Sequence, residues 1–186
     1  MQTILVAGGA GFIGSHLCKK LLNDNYKIIC VDNLLTSDGN NISSLSKNPN
    51  FKFIKRDLAK PISHSELGIE RLDYIFHLAS PASPNKKSPK SYINFPIETL
   101  LVNSLGTYNL LEIARKFNSK FLYASSSEIY GDPTISPQKE EYFGNVNPNG
   151  IRSSYDEGKR FGEALTFAFI RKHKVRASIV RIFNTY

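Results

Sequence analysis

The stretch Thr3-Ile4-Leu5-Val6-Ala7-Gly8-Gly9-Ala10-Gly11-Phe12-Ile13-Gly14 decides the fold. Ile4 to Ala7 run apolar without a break, as a strand buried on both faces should. The glycines follow at once, and a helical pattern then runs over Phe12–Asn23. Glycines there permit a tight turn, let backbone N–H groups approach an anion, and allow the helix to pack close to the strand. A glycine-rich turn alone is weak evidence; the strand before it and the helix after it make it specific. Outward from this unit the alternation continues. Apolar runs predict strands at Lys27–Val31, Phe51–Lys55, Tyr74–His77, Phe121–Ala124 and Ser178–Ile182, and longer patterns predict helices at Ile97–Phe117 and Tyr155–His173. Strand, crossover helix, strand is the pattern of a Rossmann-type α/β fold, a doubly wound parallel sheet with helices on both faces.

The second strand ends in Val31-Asp32. A carboxylate at that point accepts hydrogen bonds from an adenosine ribose and repels a 2′-phosphate, which predicts NAD rather than NADP. Asp57, after the third strand, is placed to meet the adenine edge, to cap a helix, or simply to face water.

Composition removes other classes. The chain has 186 residues, 41% hydrophobic and 22% charged, which excludes disorder and suits a single domain over 1–186. Its formal charge is +8, but the basic residues are scattered, with short clusters at Lys86–Lys90 and Arg171–Lys174. A solvated surface or an anionic small molecule explains them better than nucleic acid does. No stretch approaches the roughly 18 apolar residues of a membrane helix, so no membrane partner is expected. Cys18 and Cys30 lack CxxC spacing, and the histidines His16, His64, His77 and His173 lack ligand spacing, so no metal is expected and the histidines read as structural. A reducing cytoplasm is the expected setting, since the two cysteines show no disulfide framework and Met1 runs directly into the first strand. Asn41-Ile42-Ser43 matches a glycosylation sequon, which means little in that setting. The polar stretches Thr36–Asn50 and Gly131–Arg152 read as loops, and one as long as the second is usually functional.

Tyr155 and Lys159 lie four apart and share one helix face. A phenol is a poor base, and an ammonium within about 4–6 Å favours its phenolate, so this pair suits hydroxyl deprotonation beside a nicotinamide. Gly158 between them costs a helix roughly 1 kcal/mol relative to alanine, which predicts close approach of a ligand or of a neighbouring helix. Ser125-Ser126-Ser127-Glu128 leaves the fifth strand at its carboxyl edge, either as a site for hydroxyl and carboxylate groups or as a self-capped turn.

In this order these motifs resemble an extended short-chain dehydrogenase/reductase acting on nucleotide sugars. The phrases His77-Leu78-Ala79-Ser80-Pro81-Ala82-Ser83-Pro84, Ser127-Glu128-Ile129-Tyr130-Gly131-Asp132-Pro133, Gly144-Asn145-Val146-Asn147-Pro148, Tyr155-Asp156-Glu157-Gly158-Lys159-Arg160 and Arg181-Ile182-Phe183-Asn184-Thr185-Tyr186 narrow the resemblance to the UDP-glucuronate decarboxylases. The resemblance implies decarboxylation of UDP-glucuronate to UDP-xylose through a 4-keto sugar, with NAD recycled. Tyr155, Lys159, Glu128 and Ser126 would be catalytic. NAD would meet Gly8, Gly11, Phe12, Ile13, Gly14, Asp32, Asn33, Thr36, Asp57, Leu58, Leu78, Ser80, Tyr155, Lys159 and Thr185. The sugar nucleotide would meet Pro81, Ser126, Ser127, Glu128, Arg152 and Asn184. Sugar 4,6-dehydratases acting on dTDP-glucose and nucleotide-sugar 4-epimerases share the glycine turn and the Tyr/Lys pair and remain alternatives, as does an idle NAD-binding fragment. Ser126 stands where threonine is usual, Ser37 where glycine is usual, and Asn149 and Ile151 where an apolar residue and a proline are usual. The resemblance also implies a substrate domain beyond Tyr186, so the chain reads as C-terminally truncated and, alone, as an NAD binder with little turnover.

A homodimer is expected as well. Ile97, Leu100, Leu101, Val102, Leu105, Leu110 and Leu111, like Phe161, Leu165, Phe167, Phe169 and Ile170, spread wider than one helical stripe. The surplus would pair across a two-fold axis as a four-helix bundle.

Overall fold

A computed structural model describes residues 1–185, the His64 side chain excepted; Tyr186 and the structural role expected of His64 lie outside the described residues. Among the described residues, β1 (Thr3–Ala7), β2 (Lys27–Asp32), β3 (Phe51–Lys55), β4 (Tyr74–His77), β5 (Lys120–Ser126) and β6 (Arg176–Ile182) form one sheet in the order β3-β2-β1-β4-β5-β6. Every pairing is parallel. The order reverses between β1 and β4, and in such sheets the crevice at the strands' carboxyl ends is where ligands bind. The helices are α1 (Phe12–Asn23), α2 (His64–Leu67), α3 (Pro96–Leu101), α4 (Thr107–Phe117) and α5 (Ser153–His173).

The strand period of two feeds a core on each face. Leu5 and Ala7 of β1 join Ile29 and Val31 of β2 beneath Leu110 and Leu111 of α4 and Phe169 of α5. Ile4, Val6, Ile28 and Cys30 join Cys18 and Leu22 of α1 on the opposite face. Each such aliphatic side chain, fully buried, contributes roughly 1.5–3 kcal/mol.

The helix expected over Ile97–Phe117 is not uniform. A π-helical turn, Val102–Gly106, separates α3 from α4. Side chains there return to carbonyls one turn back: Asn103 Nδ2 to Thr99 O at 2.9 Å, Ser104 Oγ to Leu100 O at 2.7 Å, and Thr107 Oγ1 to Asn103 O at 2.7 Å. Such competition loosens a helical ladder, and π turns concentrate at functional sites. Hydrophobic periodicity alone does not reveal it.

The loop Gly131–Arg152 is fastened at several points. Asp132 N donates to Asn145 O and Asn145 N to Tyr130 O, both at 2.9 Å. Arg181 of β6 forks onto both Glu163 carboxylate oxygens of α5, at 3.0 and 2.9 Å, and reaches Tyr130 OH and Glu140 O at 2.8 and 2.9 Å. His77 is wholly buried and its Nε2 pairs with Thr107 Oγ1 at 3.1 Å, the structural role expected of it.

Candidate active site

The site starts where β1 meets α1. Gly8 has φ +78°, and a Cβ on Gly14 would lie 2.2 Å from Gly8 O, so the turn and the strand–helix packing both require glycine. Gly11 precedes α1 without a capping side chain, and the first turn carries no acid. The helix's own ladder begins with Ser15 N donating to Gly11 O at 3.0 Å. The N–H groups of Phe12, Ile13 and Gly14 thus lie outside that ladder, at the wall of a cleft the three residues line. An uncapped terminus of this kind suits a phosphate anion.

That cleft encloses about 720 Å³ and continues into a smaller cavity of about 120 Å³, the two sharing Gly8, Gly11, Thr36, Leu78 and Ser80. Asp32, Asn33, Asp57, Leu58 and Pro81 line the smaller cavity. Asp32 accepts from Ala10 N at 3.1 Å and from Leu34 N at 2.9 Å. Burial pushes its carboxyl above the ordinary range while those two N–H groups pull it back. Asp57 lines the cavity and accepts from Ala59 N at 3.0 Å in a turn, without capping a helix. A cleft of this size, with ribose acceptors at one end and an uncapped helix terminus in the middle, fits a dinucleotide.

The other end of the cleft collects the expected reacting groups. Ser126, Ser127 and Glu128 arrive from the carboxyl end of β5, Tyr155 and Lys159 from α5, and Asn184 and Thr185 from beyond β6. Burial holds the Tyr155 phenol above its usual value, although the Ser126 hydroxyl, which itself accepts from Glu128 N at 3.2 Å, pulls it down. Lys159 Nζ lies 5.6 Å from the centre of the Tyr155 ring, within the range expected of the pair. Lys159 is fully buried, its Nζ donating to Ala124 O at 2.8 Å, and burial lowers it to about 7.

Arg152, expected against the sugar nucleotide, forms an ion pair with Glu128 instead of lining the cleft. Burial raises both the neighbouring Tyr92 phenol and the Asp156 carboxyl, the latter to about 6, while the Arg152 charge pulls each of them part of the way back. Tyr92 and Lys90, which sequence reasoning missed, line the cleft, and the Tyr92 ring stacks on Tyr155 with centroids 4.8 Å apart. Both sit on the irregular segment 83–95, where no periodicity marks them.

Gly158 answers the question it raised. A Cβ there would come within 3.3 Å of Asn103 Cβ, so a neighbouring helix is the close approach. Asn103 bridges the cleft wall to the buried core, donating to Ser80 Oγ at 2.9 Å and accepting from Tyr123 OH at 3.0 Å.

Residues 4–186 match the family described as NAD dependent epimerase/dehydratase. The chain belongs to that family. Among curated members of this kind it is 45% identical to UDP-glucuronic acid decarboxylase 1 of Xenopus tropicalis, over all of this chain and 41% of that protein. It is also 45% identical to UDP-glucuronic acid decarboxylase 5 of Arabidopsis thaliana, over 98% of this chain and 51% of that one. The chain therefore spans about half the length of the curated relatives it matches. Among solved epimerase/dehydratase structures, UDP-glucuronic acid 4-epimerase from Bacillus cereus in complex with NAD superposes with a TM-score of 0.82 at 29% identity, over 100% of this chain and 57% of that one. The dTDP-glucose 4,6-dehydratase from Bacillus anthracis in complex with NAD gives 0.80 at 28% identity, over 100% and 56%.

Proposed function

We propose that this protein uses NAD to decarboxylate UDP-glucuronate to UDP-xylose through a 4-keto sugar, the NAD being regenerated in each turnover. One observation carries the reading: Ser126, Glu128 and Tyr155 converge at one end of a cleft whose other end presents Asp32 and the uncapped α1 terminus. The decarboxylases at 45% identity support the choice of sugar. Bound there, NAD supplies a reversible two-electron oxidant beside sugar C4.

The chain's own groups manage position and protons. Gly11 to Gly14 hold the diphosphate, and Asp32 accepts from the adenosine ribose and disfavours NADP. Ionised first, Tyr155 takes the C4 hydroxyl proton on Oη and returns to the phenol, and the Ser126 hydroxyl beside it favours the ionised form it starts from. Lys159 donates to the nicotinamide ribose. Oxidation at C4 leaves the sugar carboxylate β to a carbonyl, which accepts the electron pair as carbon dioxide departs. Glu128, once released from Arg152, orients the ring and moves the second proton. The protein works as a homodimer in the cytoplasm, a reading supported by the surplus apolar helix faces and by Cys18 and Cys30, both buried as free thiols.

The test is incubation with NAD and carboxyl-labelled UDP-glucuronate. Labelled carbon dioxide together with UDP-xylose is expected; a retained label with inversion at C4 would make the protein an epimerase and overturn the reading.

A further inference from the structure

Ala10 is the one residue other than glycine in the turn Gly8–Gly11, and it is fully buried. Both peptide groups beside it are fastened. Its N–H donates to Asp32 Oδ2 at 3.1 Å. Its carbonyl accepts twice, from Ser37 Oγ at 2.9 Å and from Asn41 Nδ2 at 3.0 Å. The Ser37 oxygen also accepts from Gly39 N at 3.2 Å, which aims its hydrogen at Ala10. Gly39, at φ +82°, folds the segment back so that positions 37 and 41 reach the same carbonyl. Both side chains line the larger cleft beside Gly11 and Phe12.

A turn rich in glycine loses more backbone freedom on ordering than any other, and whatever it has not lost beforehand is lost when a ligand binds. A carbonyl held by two donors removes that freedom in advance, and it does so one residue before the N–H groups of the α1 terminus. We propose that Ser37 and Asn41 act as a double latch on the Ala10 carbonyl, positioning residues that hold the glycine turn ready for the dinucleotide diphosphate. The proposal rests on the NAD reading above and adds the device that sets the affinity. It also gives a use to Ser37, where the resemblance puts glycine, and it engages the Asn41 amide nitrogen that a glycan would need.

The experiment is calorimetric titration of NAD into the wild-type protein and into Ser37→Gly, Asn41→Ala, the double variant and Ser37→Thr. Amide hydrogen exchange at residues 10–13 and the thermal midpoint are recorded for each without ligand. Because one acceptor serves two donors, each partly covers for the other. Single losses should weaken NAD about threefold and the double loss tenfold or more, in the range set by one to two neutral hydrogen bonds. Exchange in the turn should accelerate in the double variant, and Ser37→Thr should stay within about twofold of wild type, since the hydroxyl is kept. Wild-type affinity in the double variant overturns the latch, as does a fall in thermal midpoint with NAD affinity intact, which would make the contacts merely structural. A wild-type protein that binds no NAD overturns the cofactor reading itself, and the latch with it.

Discussion

At Lys159, burial brings the amine from 10.5 to about 7. In the unfolded chain the same group keeps its proton to near 10.5. Between these values the unfolded state binds more protons, so Lys159 makes stability rise with pH from about 7 to about 10. Denaturant titrations of wild type and Lys159→Met across that range should diverge in favour of wild type as pH rises; a constant difference would mean that the folded amine keeps its ordinary pKa. Tyr155 is tested differently. Tyr155→Phe should cost the proposed reaction about 10²–10⁴ in turnover while NAD binds as before, because only the proton acceptor is removed. At this scale the sequence marked which side chains line the cleft where they sit at the end of a regular element, as Ser126 and Glu128 do at the end of β5 and Tyr155 and Lys159 do in the first turns of α5. It left Tyr92 and Lys90 hidden, since irregular chain places residues through tertiary contacts that no spacing records.

Between elements, glycine separates tolerable closeness from intolerable closeness. A Cβ at Gly158 would press on Asn103 Cβ at 3.3 Å, whereas one at Gly162 would fall 2.1 Å from the Tyr123 hydroxyl, on a fully buried ring. Gly162→Ala should destabilise the protein by about 1–3 kcal/mol, the usual cost of overpacking. Gly158→Ala should cost less, because its neighbour need give by only a few tenths of an ångström and the relief of helical glycine, which both sites share, then offsets more of the crowding. Urea unfolding of both variants checks the order, and equal losses would remove Tyr123 as the cause. The positions of the six strands, the long helical patterns and the glycine turn were readable from local pattern, whereas the strand order and the short α2 were not. The break between α3 and α4 was not, because Leu100, Leu101, Leu105, Leu110 and Leu111 keep a helical period straight through it while buried Asn103 and Thr107 compete for the backbone beneath.

Across the molecule, the apolar surplus divides as the sequence suggested only in part. Leu110, Leu111 and Phe169 are spent on the core, while Ile97, Leu105, Tyr108, Phe161 and Phe167 stay on the surface, each at least 46% exposed. Exposed apolar area on two packed helices suits a self-complementary contact. Sedimentation equilibrium should give a dimer, and Leu105→Glu with Phe161→Glu should give a monomer; a wild-type monomer at all concentrations would refute the pairing. The Arg181 fork bears on timing. By tying β6, α5 and the Glu140 region to one guanidinium, it denies the long loop an independent hinge. Local opening there needs the edge strand to fray, and units that open together exchange together. Amide protons of residues 140–145 and of β6 should therefore exchange at a common rate.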